Sequence, residues 1–445
     1  MSQAISQQEN ALNTPPQQPL RILYICHDAQ LYGSQQSLLQ LLKHLPSTVH
    51  AIVSVARPGP LTESLQALQN NNITVTTHQR LQWFKHSPVS HLKRLSELLS
   101  LLLIAPVRIA RLVRLIRQHR VTLVHTNSVV SLEGALAAWV CRIPHVWHIR
   151  ELYHPPTPKL VPLLGAQRST QLILGLSARV ICISQAVQQQ LLAQRAYKAP
   201  KQTQSALNSL RVIENPVATA HAANFSPNSA QNVLQEPSPT LAALSTPPRL
   251  NAGRVNFGYV GRMSEGKRFT DILEALACLK ARRADAQQLP EAHLIVAGSF
   301  ADEAYEQHVQ QTLDRLKLRQ NVTFLGFLAD PTAAYAQMQA LILSSANEAF
   351  GRVLAEAMVQ NIPCIATQAG GVTELITHGQ TGWLYPPGNI EALTALMHQA
   401  LHNPQAFAAV TSQAYMQAQA RFSPQRHAQA VLSCYQQALQ QGASK

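Results

Sequence analysis

The 445-residue sequence has few charged residues and no compact cysteine motif. Only 13% of its residues are charged, so its formal charge of +14 is a bias spread over the chain and not a dense positive field. The six cysteines are widely scattered and none forms a C-x-x-C pair, which argues against a disulfide framework and a zinc site. We therefore expect free, mostly buried thiols and a cytoplasmic protein.

Other patterns are also missing. Residues 1–18 hold no apolar run, so we expect a disordered polar tail and not a signal peptide. No D-x-D motif occurs, and we therefore predict a chemistry without a metal ion. The sequence contains no recognised nucleic-acid-binding module and no basic–aromatic repeat, so we expect no nucleic acid partner. The positive charge then favours anionic lipid or phosphorylated small molecules as partners.

Apolar, β-branched runs alternate with helical patterns along most of the chain. The first series of predicted strands covers residues 22–26, 51–55, 73–76, 122–125, 146–149 and 180–183. The second series covers residues 255–260, 294–297, 322–325, 340–344 and 364–366. Such alternation predicts parallel sheets with helices on both faces, and therefore two doubly wound α/β halves.

The two series are separated by residues 217–250, which are rich in Ala, Ser, Pro and Asn without a clear period. This composition predicts a linker or a long mobile loop. We therefore place one domain at residues 19–216 and a second at 251–423. The helical stretch at 424–445 is compatible with packing on either domain. Glu214, Asn215 and Pro216, just before the linker, are interpreted as structural.

Two carboxylates eight positions apart, Glu348 and Glu356, follow the predicted strand at 340–344. The apolar pattern between and after them predicts a helix that begins near Phe350 or Gly351. A helix N-terminus after a parallel strand offers free N–H groups to a ligand. Carboxylates accept several hydrogen bonds and can chelate vicinal hydroxyls, so the pair suits a sugar. The alternative is an ordinary amphipathic helix whose positive end is stabilised by Glu348.

Two cations, Arg262 and Lys267, bracket a turn after the predicted strand at 255–260. Two positive side chains beside a helix N-terminus can clamp a diphosphate. Without a D-x-D motif, these cations could neutralise a leaving diphosphate in place of a metal ion. The alternative is a helix that merely starts with basic residues.

These segments resemble the nucleotide-sugar-binding half of the family 4 retaining glycosyltransferases. Glu348 and Glu356 match the family's E-x(7)-E pattern, and its later segments correspond to PCIATQAGGVTE (363–374) and GQTGWLYPP (379–387). The resemblance implies the GT-B architecture, in which two Rossmann-like domains face each other across a cleft. It also implies that the final helical stretch at 424–445 crosses back to the N-terminal domain.

The resemblance implies roles for residues of the C-terminal half. Arg262 and Lys267 correspond to the family's G-R-x-x-x-x-K element, whose cations bind the donor diphosphate. Glu348 would orient the hydroxyls of the donor sugar, and Glu356 would hold the ribose diol. Backbone groups around five further residues would complete the donor pocket: Phe350, Gly351, Arg352, Gly370 and Gly371.

The N-terminal half departs more from the family. Where a Gly-Gly-x-x-E element is usual, the sequence reads Tyr-Gly-Ser-Gln-Gln, so only Gly33 corresponds; its alternative role is a turn residue before a helix. His148, at the end of a predicted strand, matches a histidine that contacts the donor sugar near the reacting carbon. Arg150 and Glu151 are interpreted as an ion pair that shapes the loop. His125–Asn127 is a weaker candidate for the acceptor side.

The segment at 91–120 combines leucines with regularly spaced arginines. Its uncharged part, 98–107, is too short to span about 30 Å of hydrocarbon, and we expect Pro106 to kink or end the first helical piece. Together with Trp83, Phe84 and Lys85 upstream, it predicts an interfacial basic element on an anionic membrane. The alternative is a sheet-covering helix with snorkelling arginines. The arginines concerned are Arg108, Arg111, Arg114 and Arg117.

The expected activity is transfer of a hexose, with retention of configuration, from a nucleotide-diphosphate sugar such as a UDP- or GDP-hexose. The acceptor would be lipid-linked or a saccharide, in the synthesis of cell-surface polysaccharide, lipopolysaccharide or glycolipid. No other cofactor is expected, and the protein would lie on the inner face of the cytoplasmic membrane. Two alternatives stay open: a sugar-nucleotide epimerase of similar build, and a non-enzymatic, membrane-associated basic protein.

Overall fold

A computed structural model describes residues 20–68, 72–85, 90–153, 160–194, 209–218, 254–285, 290–328 and 330–443. The predicted tail at 1–18 and most of the predicted linker, 219–250, lie outside these residues.

The N-terminal domain contains a seven-stranded sheet of order β3-β2-β1-β5-β6-β8-β9, in which every neighbouring pair is parallel. Its strands are β1 (Leu20–Cys26), β2 (Val49–Val55), β3 (Ile73–Thr77), β5 (Leu123–Thr126), β6 (His145–Ile149), β8 (Arg179–Cys182) and β9 (Leu210–Val212). Its helices are α1 (Gly33–Lys43), α2 (Pro60–Ala67), α3 (His91–Gln118), α4 (Glu133–Cys141), α5 (Ala166–Leu176) and α6 (Gln185–Ala193). The strands predicted for this half are confirmed. The antiparallel pair β4 (Phe84–Lys85) and β7 (Val161–Pro162) was not predicted, since so few residues carry no period.

The C-terminal domain repeats this plan with a six-stranded parallel sheet of order β12-β11-β10-β13-β14-β15. Its strands are β10 (Arg254–Val260), β11 (Glu291–Ala297), β12 (Val322–Gly326), β13 (Ala340–Leu343), β14 (Cys364–Thr367) and β15 (Trp383–Tyr385). Its helices are α7 (Phe269–Asp285), α8 (Glu303–Arg315), α9 (Thr332–Tyr335), α10 (Arg352–Met358), α11 (Val372–Leu375), α12 (Ile390–His402) and α13 (Pro404–Arg421), with 3₁₀ turns at Glu265–Lys267 and Arg319–Asn321. The predicted doubly wound α/β class is therefore confirmed in both halves.

The last helix, α14 (Pro424–Ala443), packs on the N-terminal sheet and not on the domain that precedes it. Its buried Val431 and Tyr435 share a hydrophobic cluster with Ile22 and Tyr24 of β1. Tyr435 also places its hydroxyl 2.7 Å from Nδ1 of His125. The two domains are thus joined by a helix as well as by the segment after β9.

Helix α3 corrects two predictions. It is one 28-residue helix that continues through Pro106, so Pro106 does not end the first helical piece. Pro106 and Leu102, four positions earlier, are both exposed, and water can satisfy the carbonyl that proline leaves unbonded. Trp83 and Phe84 are fully buried, and Trp83 donates from Nε1 to the carbonyl of Val129 (2.7 Å), so they form no surface patch.

The two ends of α3 differ. Its second half covers the sheet, because Leu112, Val113 and Ile116 are buried. Its first half exposes a row of leucines, with Leu92 and Leu103 exposed by 83% and 79%. Within the described ranges, no helix combines the length and apolar character that a membrane crossing requires. All six cysteines are free, and Cys26, Cys182, Cys364 and Cys434 are buried.

Candidate active site

The loop between β13 and α10 carries Glu348 at the carboxyl edge of the C-terminal sheet. Gly370 and Gly371 pack directly against the backbone of this loop. The N–H of Gly371 donates to the carbonyl of Glu348 at 2.8 Å. A Cβ atom on Gly370, whose φ is +56°, would lie 2.2 Å from that same carbonyl oxygen, and one on Gly371 would lie 2.5 Å from the carbonyl of Ala349. Any side chain at either position would displace the loop. The sequence pattern therefore has a structural reason, which is to fix the backbone of Glu348.

Lys267 and Glu348 form an ion pair between Nζ and Oε1. Their side chains are 27% and 14% exposed, so the pair lies in a recess and not on the open surface. Ser345 donates from Oγ to the same carboxylate oxygen at 2.6 Å, and Ser344 Oγ donates to the carbonyl of Lys267 at 2.8 Å. The fold thus brings together Lys267, predicted to bind the diphosphate, and Glu348, predicted to bind the sugar. These two groups are neighbours in a nucleotide-diphosphate sugar.

Arg262, the other predicted cation, lies on the loop between β10 and the 3₁₀ turn. Its guanidinium is exposed and donates from Nη2 to the carbonyl of Ala301 at 3.0 Å. It is therefore less enclosed than Lys267, and its place in a clamp stays a prediction.

Glu356 lies in α10, where both of its carboxylate oxygens accept a hydrogen bond. Arg352 donates from Nε at 2.7 Å, four positions away on the same helix. The Tyr335 hydroxyl donates at 2.9 Å. Burial, and then the charge of Glu356, raises the pKa of Tyr335 well above its usual value, so this phenol remains a donor. The carboxylate is thus oriented before any ligand arrives.

Arg352 also spans the cleft. Its Nη1 donates to Ser37 Oγ in α1 at 2.8 Å and to the carbonyl of Pro216 at 3.1 Å. A Cβ atom on Gly33 would lie 3.3 Å from Cδ of Arg352, so two predicted donor-binding residues meet across the cleft. Helix α1 begins at Gly33 after its N-cap residue Tyr32, so Gly33 is the first residue of the helix.

His148 lies at the carboxyl end of β6 and is fully buried. Its Nδ1 is 3.3 Å from Nη2 of Arg150, and since a guanidinium only donates, Nδ1 accepts and the ring proton lies on Nε2. Within the described part of the chain, Nε2 is buried without a partner. Burial, and then Arg150, lowers the pKa of His148 well below its usual value. His148 is therefore a neutral donor with an unused N–H.

Arg150 does not form the predicted ion pair with Glu151. Its Nε and Nη2 donate to Asn127 Oδ1 at 3.0 and 2.9 Å, and its Nη1 donates to Asn215 Oδ1 at 2.5 Å. The Glu151 carboxylate instead accepts from Ser128 and from the N–H of Val129. The reason is local, because the turn after β5 places two hydrogen-bond donors, Ser128 and the N–H of Val129, next to the Glu151 carboxylate.

A chain of hydrogen-bonded groups follows from these contacts. Arg150 contacts Asn215, whose Oδ1 is 3.3 Å from Ser37 Oγ, and Ser37 contacts Arg352. It links His148 in one domain to Glu356 in the other. These hydrogen-bonded groups could not be predicted from the sequence, because they are far apart along the polypeptide and share no local pattern.

Glu374 provides a further contact between the domains. Its carboxylate oxygens accept from the N–H groups of Gln185 and Ala186, both at 2.7 Å, at the first residues of α6. A carboxylate at a helix N-terminus satisfies free donors and complements the helix dipole. Glu374 lies in the 363–374 segment, but no role for it was predicted from the sequence.

Within the described residues, no cluster of three or more potential ligands could hold a metal ion.

Two family models match the chain. The model described as glycosyl transferases group 1 matches residues 245–421, and the model described as glycosyltransferase family 4 matches residues 31–220. The matches coincide with the two sheet domains, so the resemblance read from the sequence extends to both.

Known proteins give the same result. The chain is 29% identical over 149 residues to N-acetyl-alpha-D-glucosaminyl L-malate synthase from Bacillus anthracis, covering 32% of this chain and 36% of that protein. It is 32% identical over 144 residues to human alpha-1,3/1,6-mannosyltransferase ALG2, covering 31% and 34%. The matched stretches thus span about a third of these relatives' length. The structure of Anabaena Alr3699/HepE in complex with UDP and glucose superposes with a TM-score of 0.69 at 23% identity, covering 94% of this chain and 99% of that one.

Proposed function

The chain belongs to the family 4 glycosyltransferases (glycosyl transferases group 1) and has their GT-B fold, and we propose that it transfers a hexose from a nucleotide-diphosphate sugar to an acceptor hydroxyl. The observation that carries this proposal is the Lys267–Glu348 pair beside the Gly370-Gly371 support. It sets a cation and a carboxylate side by side, as a ligand with adjoining phosphate and hydroxyl groups requires.

In the proposed donor complex, Glu348 accepts hydrogen bonds from hydroxyls of the sugar and Glu356 accepts from the ribose. Each oxygen of Glu356 already accepts one hydrogen bond and has a lone pair left for a second. The backbone of Phe350–Arg352 lines the same pocket, where α10 begins without a side-chain cap. The complex of the Anabaena protein with UDP and glucose supports a UDP-hexose as the donor.

During transfer, the bond between the anomeric carbon and the phosphate oxygen breaks, and its electron pair leaves with the nucleoside diphosphate. Lys267, in its recess, and the more exposed Arg262 stabilise the negative charge that develops there. The acceptor oxygen bonds to the same face of the carbon, and its proton passes to the departing phosphate. The family resemblance supplies this retaining stereochemistry, and proton NMR of the product would test it.

His148 contributes a hydrogen bond from Nε2 in this proposal. Because the ring is neutral and its Nδ1 is occupied by Arg150, it donates to a sugar oxygen without taking up a proton. It is therefore assigned to substrate orientation near the reacting carbon and not to acid–base chemistry.

We further propose that the protein works at the cytoplasmic face of a membrane, on a lipid-linked or saccharide acceptor of a surface polysaccharide, lipopolysaccharide or glycolipid. The support is the first half of α3, where Leu92, Leu99 and Leu103 are exposed. Three exposed arginines follow on the same helix: Arg111, Arg114 and Arg117. Exposed leucines beside arginines suit an anionic interface. Arg108, grouped with them in the sequence, is half-buried and belongs to a different surface.

Incubation of the purified chain with radiolabelled nucleotide sugars and a membrane extract tests the activity. We expect label to move into an acceptor fraction. An epimerase would change the sugar with no acceptor, and a non-enzymatic protein would leave the nucleotide sugar intact; either result would contradict the proposal.

A further inference from the structure

A cavity of about 560 Å³ lies in the N-terminal domain, at the carboxyl ends of three neighbouring strands. His27 follows β1, Arg57 follows β2 and Arg80 follows β3, and helix α3 closes the other side with Arg108. The carboxyl edge of a parallel sheet is where open α/β domains bind ligands. It is distinct from the recess that holds Lys267 and Glu348, which lies in the other domain.

The cavity has an excess of positive charge. Its two carboxylates are engaged: Glu97 pairs with Lys85 at 2.8 Å, and Asp28 accepts from the N–H groups of Ala29 and Gln30. Three arginines remain, and across the described ranges none of them forms an ion pair: Arg57, Arg80 and Arg108. Guanidinium groups without a carboxylate partner, gathered around one cavity, favour an anion.

Two buried polar atoms in the lining have no partner among the described residues. These atoms are Nε of Arg108 and Nδ1 of His27. The Nε–H of Arg108 is a donor, so leaving it buried without an acceptor is costly, and a ligand that supplies the acceptor removes that cost. This unpaired donor is independent of the charge count and indicates the same kind of ligand, an anion, whereas Nδ1 of His27 donates or accepts according to its tautomer.

Two of the three arginines, Arg80 and Arg108, are also held in place by hydrogen bonds. Arg108 Nη1 donates to the carbonyl of Arg80, and Arg80 Nη1 donates to the carbonyl of His27 at 3.0 Å. Beneath them, buried Glu133 accepts from the N–H of Leu81 at 3.0 Å and lies 2.9 Å from Nε2 of His78. The loop that carries Arg80 is thus fixed before a ligand binds, which lowers the entropic cost of binding.

We propose that this cavity binds a phosphate group of the acceptor, an inference that rests on the proposed glycosyl transfer. The loop from His27 reaches Gly33, which adjoins Arg352 of the donor domain, so an acceptor anchored here extends toward the donor. Two sources supply the same chemistry, a lipid phosphate and a soluble sugar phosphate. Leu101 and Ile104 in the lining belong to the helix that exposes leucines outside, which accommodates a hydrocarbon chain as well.

Calorimetry on the full chain tests the inference with two matched pairs of probes. Geranyl phosphate is compared with geraniol, and glucose 1-phosphate with glucose. We expect at least one phosphate to bind at least about 10-fold more tightly than its neutral counterpart, as loss of charge-assisted hydrogen bonds would cause. The pair that shows the difference identifies the source. Arg57→Gln and Arg80→Gln should each weaken that phosphate by about 10-fold.

Arg282→Gln is the matched control, because Arg282 is an exposed arginine of α7, in the other domain and outside the cavity. It should bind the phosphate as the wild type does. Arg57 is exposed, so its variant keeps the test valid even if Arg80→Gln disturbs the loop. The inference is overturned if neither phosphate binds more tightly than its neutral counterpart, or if the Arg57 and Arg80 variants bind the phosphate as tightly as Arg282→Gln does.

Binding of UDP, GDP and ADP is measured on the same samples. A protein that binds a nucleoside diphosphate but neither phosphate probe overturns this inference and leaves the proposed function standing. A protein that binds a phosphate probe but no nucleoside diphosphate contradicts the proposed function instead.

Discussion

Lys267 and Glu348 form an ion pair although 81 positions separate them in the sequence. Neither charge is isolated in the recess, so both stay in place without a ligand. A donor diphosphate would draw Lys267 toward the phosphate, while the sugar hydroxyls would replace it at Glu348. The pair therefore links the two parts of the donor that separate during transfer.

Replacing either cation should slow the chemical step. We expect Lys267→Ala and Arg262→Ala each to lower kcat by about 10²–10³-fold, as for loss of one preorganised donor to the developing charge. Steady-state kinetics measures this, with Lys280→Ala as control because the exposed Lys280 donates from Nζ to the carbonyl of Lys317 and to Asn321 Oδ1. Turnover of the Lys267 or Arg262 variant equal to that of the control would rule out the clamp.

Substitutions of Glu348 and Glu356 should affect different parts of the donor, the sugar and the ribose. Glu356→Gln should weaken binding of the free nucleotide and of the nucleotide sugar alike, since both contain the ribose. Glu348→Gln should reduce turnover with the whole donor far more than it reduces nucleotide affinity. Calorimetry with UDP and UDP-glucose, together with kcat, distinguishes these effects, and the reverse ordering would mean that the two roles are wrongly assigned.

Glu374 should stabilise the arrangement of the two domains that the structure shows. Glu374→Ala removes both hydrogen bonds to the start of α6, and we expect kcat to fall by about 10-fold while nucleotide affinity changes little. The control is Glu391→Ala, an exposed glutamate in the first turn of α12. Equal kcat values for the two variants would show that this contact between the domains does not contribute to catalysis.

The arginines of α3 should control membrane binding. Each basic residue near an anionic surface contributes about 1 kcal/mol, so changing Arg111, Arg114 and Arg117 together to Gln should release the protein from anionic vesicles. High salt should do the same to the wild type. A triple variant of Arg282, Arg315 and Arg319 removes equal charge from the other domain and should stay bound. If the wild-type protein does not bind anionic vesicles at low salt, the membrane proposal is contradicted and α3 only covers the sheet.

Stability should fall as the pH drops below about 6.5. Burial, and then Arg150, lowers the pKa of His427 to about 3, whereas an unfolded histidine titrates near 6.5. Between these values the unfolded state binds a proton that the folded state does not, so acid favours unfolding. One such histidine costs about 2 kcal/mol between pH 7.5 and pH 5.

Urea unfolding at pH 7.5 and pH 5 measures this loss. His427→Gln should show a smaller difference between the two pH values than the wild type, whatever its absolute stability. His91→Gln, at an exposed position, should show the full difference. An unchanged pH dependence in the His427 variant would contradict the assignment.

The fold was largely predictable because its signals are local. The segments predicted as strands within β1 and β11, 22–26 and 294–297, are continuous apolar runs, and the segment after β13 carries its glycines and carboxylates within a few dozen positions. What the sequence did not reveal depends on contacts between distant residues. Arg150 was paired with its neighbour Glu151, yet in the fold Asn127 and Asn215 reach it.

Aromatic residues show the same limit. Trp83 and Phe84 beside Lys85 have the composition of a surface patch, and only the tertiary fold decides that both face the core. The cavity with Arg57 and Arg80 was also not predicted, since its members follow different strands and share no spacing. The net charge could be counted from the sequence, but the positions of the charged side chains in the fold could not be predicted from it.

Acceptor-dependent release of nucleoside diphosphate tests the central claim most directly. The purified chain is mixed with a panel of UDP-, GDP- and ADP-hexoses, with and without membrane extract, alongside Lys267→Ala. We predict that one donor releases its nucleoside diphosphate much faster when the extract is present, and that Lys267→Ala lowers this rate by at least about 10²-fold. No release from any donor, or equal release by wild type and variant, would contradict the account.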